Sequence, residues 1–168
     1  FSHSNADNIL NKAIDQGINF IDTADVYCLD DNDIGHNERL IAKAFKAWQG
    51  STPVTVATKG GLVRPNGDWI DNGHPVHLKA ACEASLIALD TETIDLYHFH
   101  EPDKKVPFEE SMGALIDLKN AGKIRNLGLS NATLEQIIQA RKMVDIVSVQ
   151  DRCSPFDLDY FRNGIIDY

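Results

Sequence analysis

Five times along this chain a short run of strand-forming residues stops at a polar or ionisable side chain. The runs are "INFIDTA", "PVTVATK", "TIDLYHFHEP", "IRNLGLSN" and "DIVSVQ", and their ends carry Asp22, Lys59, His100, Ser130 with Asn131, and Gln150. Helical patterns lie between them. Ile9, Leu10, Ala13 and Ile14 form one stripe that opens at Ser4 as a cap and stops at Gly17. Leu40, Ile41, Ala44, Phe45 and Trp48 form a second, ending at Gly50, and Leu78, Ala81, Cys82, Ser85, Leu86 and Leu89 a third. A fourth has Pro107 in its first turn, carries Met112, Leu115 and Ile116, and closes at Gly122. A fifth rests on Leu134, Ile137 and Ile138, and the tail "DLDYFRNGIIDY" reads as the start of a sixth. Strands that alternate with helices of this length predict a parallel sheet covered by helices.

Two kinds of parallel architecture are separable by motif. A doubly wound dinucleotide fold carries G-x-G-x-x-G after a strand, and a nucleotide triphosphatase carries G-x-x-x-x-G-K; this sequence has neither. Reactive groups collected from the C-terminal ends of successive strands are instead the habit of an α/β barrel. Five strands do not close an eight-stranded barrel, for which about 250 residues is typical. Either the chain is part of a longer protein, a (β/α)8 TIM-barrel type fold truncated to about five strand–helix units, or it forms an open sheet with exposed edges. One domain over residues 1–168 is expected, because no linker or Gly/Ser hinge interrupts the pattern. The turn-rich stretch from Lys59 to Val76 is read as a long loop of the kind that often carries function.

Composition narrows the partners. A net charge of −9 opposes a phosphate backbone or an anionic membrane as the principal partner, so no nucleic-acid and no membrane partner is expected. No apolar run approaches the ~20 residues of a membrane span, and "FSHSNADN" has neither the basic nor the apolar part of a signal peptide. A cytoplasmic location is expected. Cys28, Cys82 and Cys153 are odd in number and lack a CxxC, so they are read as packing residues. "DDNDIGHNE" superficially matches a calcium loop, but Ile34 and Ile41 stand where acidic ligands belong, and it is read as a solvated loop capping the second helix. His98 and His100 share a strand face, as two metal ligands would, yet no third ligand signal accompanies them; His98 is read as a wall residue beside a pocket.

Taken together, "FIDTADVY", "VATKGG", "DLYHFHEPD", "GLSN" and "SVQDRCSPFD" resemble the aldo-keto reductases in order and spacing over essentially the whole chain. The resemblance implies a barrel that reduces aldehydes and ketones with NADPH. It implies that Asp22, Tyr27, Lys59 and His100 are the catalytic tetrad, and that Ser130, Asn131 and Gln150 hold the nicotinamide carboxamide. It also implies that the family's first strand and last two units lie outside this sequence, together with loops that hold the cofactor's phosphates, so the 168-residue chain is expected to bind NADPH weakly.

The chemistry fits those residue types. Hydride delivery to a carbonyl leaves negative charge on oxygen, which calls for a proton donor within hydrogen-bond reach; a phenol such as Tyr27 can donate when an ammonium such as Lys59 favours the phenolate. A carboxylate, Asp22, keeps that ammonium charged and fixed, and His100 can orient the carbonyl oxygen. No metal is required. Cys28, Asp151 and Cys153 depart from the family's usual Gly, Asn and Tyr. A second reading is a non-catalytic binding or regulatory subunit on a truncated scaffold, docking through unpaired sheet edges. Trp69 is a candidate for lining the substrate site.

Overall fold

The computed structural model describes residues 3–156, 158 and 161–168. Five strands, β1 (Phe20–Asp22), β2 (Thr55–Gly60), β5 (Ile94–Phe99), β6 (Ile124–Ser130) and β7 (Ile146–Gln150), pair in parallel in the order β1-β2-β5-β6-β7. Helices α1 (His3–Asp15), α2 (His36–Ala47), α3 (Pro75–Leu89), α4 (Phe108–Asn120) and α5 (Leu134–Met143) alternate with them. Chain order equals sheet order, as in a barrel wall rather than a sheet that reverses at its middle. The sheet curls: the Gln150 amide on one edge strand donates to Asp22 Oδ2 on the other, 3.2 Å away.

Period-two alternation decides what each face of the curl carries. Tyr97, Phe99, Leu127 and Leu129 pack outward against Leu78, Cys82 and Leu86 of α3, Met112, Leu115 and Leu118 of α4, and Ile137 of α5 in one core. The intervening residues face inward. Register sets Lys59 beside His98, His98 beside Gly128 and Gly128 beside Ser148 in a single layer. A Cβ on Gly128 would stand 2.4 Å from the His98 ring, so only glycine leaves room for that imidazole. On the outer face a Cβ on Gly60 would stand 2.1 Å from Tyr97 Oη.

Helix ends follow local chemistry. Thr133 and Gln136 form a reciprocal capping box at α5. Pro75 opens α3 behind His74, whose Nδ1 accepts from the Val76 N–H. Pro107 sits one place earlier than expected, at the cap of α4, and Gly122, at φ 74°, follows the end of that helix. α1 begins at His3, so Ser4 lies inside its first turn. Its stripe is only partly covered: Ile14 is buried while Ile9 is exposed, because α1 packs chiefly against α2.

Three other expectations are corrected. The stretch from Lys59 to Val76 is not featureless loop; it holds a two-stranded antiparallel ribbon, β3 (Leu62–Val63) with β4 (Ile70–Asp71), folded over a short 3-10 turn at Pro65–Gly67. The acidic loop before α2 does not cap it with a side chain. Gly35, left-handed at φ 79°, occupies the cap position, while Asp33 pairs with His36 and with Arg39 at 2.5–2.6 Å. In the tail, Asp157, Asp159 and Tyr160 lie outside the described residues, and 161–168 is turn rather than regular helix, with Gly164 at φ 80° breaking any continuation. Of the cysteines, all free, Cys82 is in the core as expected, Cys28 is half-buried and Cys153 is exposed. No helix is long and apolar enough to cross a membrane among the described residues.

Candidate active site

The C-terminal ends of the strands open on a cleft of about 660 Å³. Its walls include Asp22, Tyr27 and His100, and also Ser130, Asn131 and Gln150. Lys59 lies buried behind two of these wall residues, Asp22 and Tyr27, and reaches the cleft through them. It arrives on β2 facing inward, with only 1% of its surface exposed, and its ammonium makes three short contacts. Nζ donates to Asp22 Oδ2 at 2.8 Å, to the Thr23 carbonyl at 2.8 Å, and to Tyr27 Oη at 3.3 Å. A buried ammonium without such partners would cost several kcal/mol. Asp22 supplies the countercharge, and the rest of the coordination comes from a backbone carbonyl whose place the sequence does not reveal.

Tyr27 lies just beyond the end of β1, half-exposed, with its hydroxyl toward Lys59 and its ring edge-on to His100 at a centroid distance of 5.9 Å. Trp69 completes a three-ring wall, 6.4 Å from both Tyr27 and His100. The ribbon positions that indole: Arg64 stacks on it at 4.0 Å, and the Arg64 guanidinium is anchored by the Cys28 and Leu29 carbonyls. Trp69 therefore lines the cleft. Arg64 was invisible as a site residue in the sequence, because a lone arginine in a turn-rich stretch carries no pattern.

His98 and His100 are both buried, and both rings are held neutral down to about pH 4, first by burial and next by repulsion from the Lys59 ammonium. The two differ in position. His100 faces the cleft, while His98 lies a layer deeper with Nε2 at 3.1 Å from Ser148 Oγ and is not among the residues lining the cleft. The expected wall role for His98 is thus corrected: one step of two along a strand moves a side chain about one layer down the barrel. Among the described residues no group of three or more His, Cys, Asp or Glu is arranged to hold a metal.

At the far side of the cleft, Ser130 is buried, and Asn131 is left-handed at φ 53°. Asparagine tolerates that conformation better than most residues. The Asn131 amide donates to the His100 carbonyl at 3.1 Å and to Ser130 Oγ at 3.2 Å, and its backbone N–H donates to the Gln150 carbonyl. These bonds turn the ends of β5, β6 and β7 into one rigid rim. Both side-chain N–H groups of Asn131 and one of the two on Gln150 are spent on the protein, which leaves the two amide oxygens, the second Gln150 N–H and the Ser130 hydroxyl to meet a ligand.

Asp25, three residues past Asp22, belongs to a different neighbourhood. It is buried, and burial followed by repulsion from Glu38 raises its carboxyl well above the usual range. Glu38 is raised too, again by burial, and accepts from Thr58 Oγ1 at 2.6 Å. A further hollow of about 350 Å³ near the opposite end of the sheet is walled by Ile41, Phe45, Val54 and Val56, and the charges at its edge, Lys46 and Asp90, pair with each other at 2.6 Å. It offers no reactive constellation.

Known proteins share this fold. The chain is 34% identical over 159 residues to the aldo-keto reductase YhdN of Bacillus subtilis, covering 95% of this chain and 46% of that one. It is similar in structure to the glycerol dehydrogenase AKR11B4 of Gluconobacter oxydans, with a TM-score of 0.81 and 34% identity over 94% of this chain and 47% of the other. The holo form of the aldo-keto reductase AKR11C1 of Bacillus halodurans matches with a TM-score of 0.79 and 31% identity, over 97% and 54% respectively. This chain thus spans about half the length of these relatives, and its curled sheet is the corresponding half-barrel. The pattern that describes the Aldo/keto reductase family matches residues 1–168, and the chain belongs to that family.

Proposed function

We propose that this cleft reduces an aldehyde or ketone carbonyl with a nicotinamide cofactor, NADPH in the first instance, and that Tyr27 is the general acid. The observation that carries this reading is the Lys59 ammonium lodged between the Asp22 carboxylate and the Tyr27 phenol, at 2.8 and 3.3 Å. A lysine buried merely for structure has no need of a half-exposed phenol as its third partner.

The donor set suits a nicotinamide carboxamide. Such a group offers two N–H donors and one acceptor, and the free amide oxygens of Asn131 and Gln150 with the Ser130 hydroxyl offer the complement. When bound, the reduced nicotinamide supplies the hydride. Tyr27 gives its hydroxyl proton to the carbonyl oxygen as negative charge develops there, and Lys59 stabilises the phenolate that remains. Asp22 keeps Lys59 charged and fixed. His100, neutral, donates an imidazole hydrogen bond that orients the carbonyl oxygen. Positioned proton transfer contributes about 10²- to 10⁴-fold.

The test is NADPH oxidation followed at saturating aldehyde, for the wild type and for Tyr27→Phe. The reading requires turnover that the variant loses by about 10²-fold or more while cofactor binding persists. Equal turnover by both proteins overturns it.

A further inference from the structure

Ile146 and Val149, three residues apart on β7, both pack against the outer core. Strict alternation would put them on opposite faces of the strand. The pairing with β6 shows how both can face outward. Leu127 stands opposite Ile146 but Gly128 opposite Ser148, so Val147 is an extra residue, exposed in a bulge. Beyond the bulge Ser148 and Gln150 face inward, in line with Gly128 and Ser130. Without it Val147 would stand opposite Gly128 and Val149 opposite Ser130. Gln150 would then turn away from the cleft, since a one-residue slip exchanges the two faces of a strand.

One polar contact separates the two registers. His98 Nε2 and Ser148 Oγ are hydrogen-bonded at 3.1 Å. The bond joins β5 to β7 over the intervening strand β6, and glycine at 128 lets it pass: a Cβ there would stand 2.4 Å from the His98 ring and 3.1 Å from the Ser148 carbonyl. Among the described residues the other ring nitrogen, Nδ1, is buried without a hydrogen-bond partner. In the slipped register a valine would face His98, the buried ring would keep no hydrogen bond, and the Ser148 hydroxyl would turn toward the outer core. As an edge strand, β7 pairs only with β6, so few other contacts hold its register.

We propose that His98 and Ser148 are positioning residues that lock the register of β7 and so aim Gln150 into the cleft. The consequence for the cofactor rests on the reductase reading; the register is measurable without it.

The experiment compares Ser148→Ala, His98→Leu and the double variant with the unaltered 168-residue chain. One amide reports the register, because the Asn131 backbone N–H donates to the Gln150 carbonyl. Hydrogen exchange read by NMR is expected to be about 5- to 10-fold faster at Asn131 in either single variant, with the amides of β2 and β5 exchanging as before. The double variant should lose no more than a single one, since both changes remove the same bond. In steady-state assays of NADPH oxidation, Ser148→Ala should raise the KM for NADPH by a similar factor and leave that for benzaldehyde within about 2-fold. Unchanged exchange at Asn131, equal acceleration at all amides, additive losses, or an unmoved KM for NADPH in proteins that turn over overturns the proposal. If His98→Leu does not fold, Ser148→Ala decides alone. If Asn131 responds as expected and none of the proteins oxidises NADPH, the reductase reading fails while the register lock stands.

Discussion

Lys59 shows how one residue acquires a role from its surroundings. Its buried ammonium is tolerable only because Asp22, the Thr23 carbonyl and Tyr27 surround it. Lys59→Met is expected to lower carbonyl reduction by about 10²-fold or more without unfolding the chain, since a methionine fills the same space; circular dichroism and NADPH oxidation check the two halves. Asp22→Ala should cost stability as well as activity, because it leaves the ammonium buried and uncompensated, and a urea melt should show a loss of about 3 kcal/mol. The two inner histidines give a pH prediction. Their imidazole Cε1–H signals should stay constant from pH 8 to about pH 5 and titrate near 4. An unfolded histidine takes its proton near 6.5, so the stability these rings contribute is complete above that pH and is lost as pH falls from about 6.5 to about 4. Asp25 and Glu38, raised by burial, act with the opposite sign, holding their protons to higher pH than in the unfolded chain and losing stability as pH rises. A His98→Asn variant compared with wild type across that window isolates the histidine part.

At the scale of the element, period-two alternation divides β2, β5 and β6 between two jobs, outward packing and inward chemistry. Two glycines make the division feasible. Gly128→Ala would drive a methyl into the His98 ring, and Gly60→Ala into Tyr97 Oη. Each substitution is expected to destabilise the fold by about 1–3 kcal/mol, read as a drop in thermal midpoint. The Gly60 variant disturbs the outer core, whereas the Gly128 variant also shifts His98, so its imidazole titration should change. The ribbon between β2 and α3 shows where pattern reading runs out. Two-residue strands are too short to display alternation, and the pairing of Leu62 with Asp71 and of Val63 with Ile70 depends on the intervening turn rather than on propensity. In consequence the Arg64–Trp69 stack, which forms a wall of the cleft, emerged only with the fold.

For the molecule as a whole, β1 and β7 are edge strands that the Gln150–Asp22 hydrogen bond bridges at the rim. Amide hydrogen exchange should follow that geometry: slowest in β5 and in the parts of β2 and β6 paired with it, fastest in β1 and β7. Uniform protection across all five strands would show that the edges are covered in solution. The sequence by itself determined the alternation of strands and helices, the parallel sheet, and the residue types at each strand end, because hydrophobic period and turn chemistry are local properties. The family likeness pointed to Asp22, Tyr27, Lys59 and His100 in the same way, by order along the chain. Only the tertiary structure decided that Asp22, Tyr27 and His100 wall one cleft with Lys59 buried behind them, that His98 lies a layer deeper, and that Trp69 completes the wall. Those facts depend on how a curled sheet brings residues 22 and 150 to within a hydrogen bond, a through-space closure that no local pattern encodes.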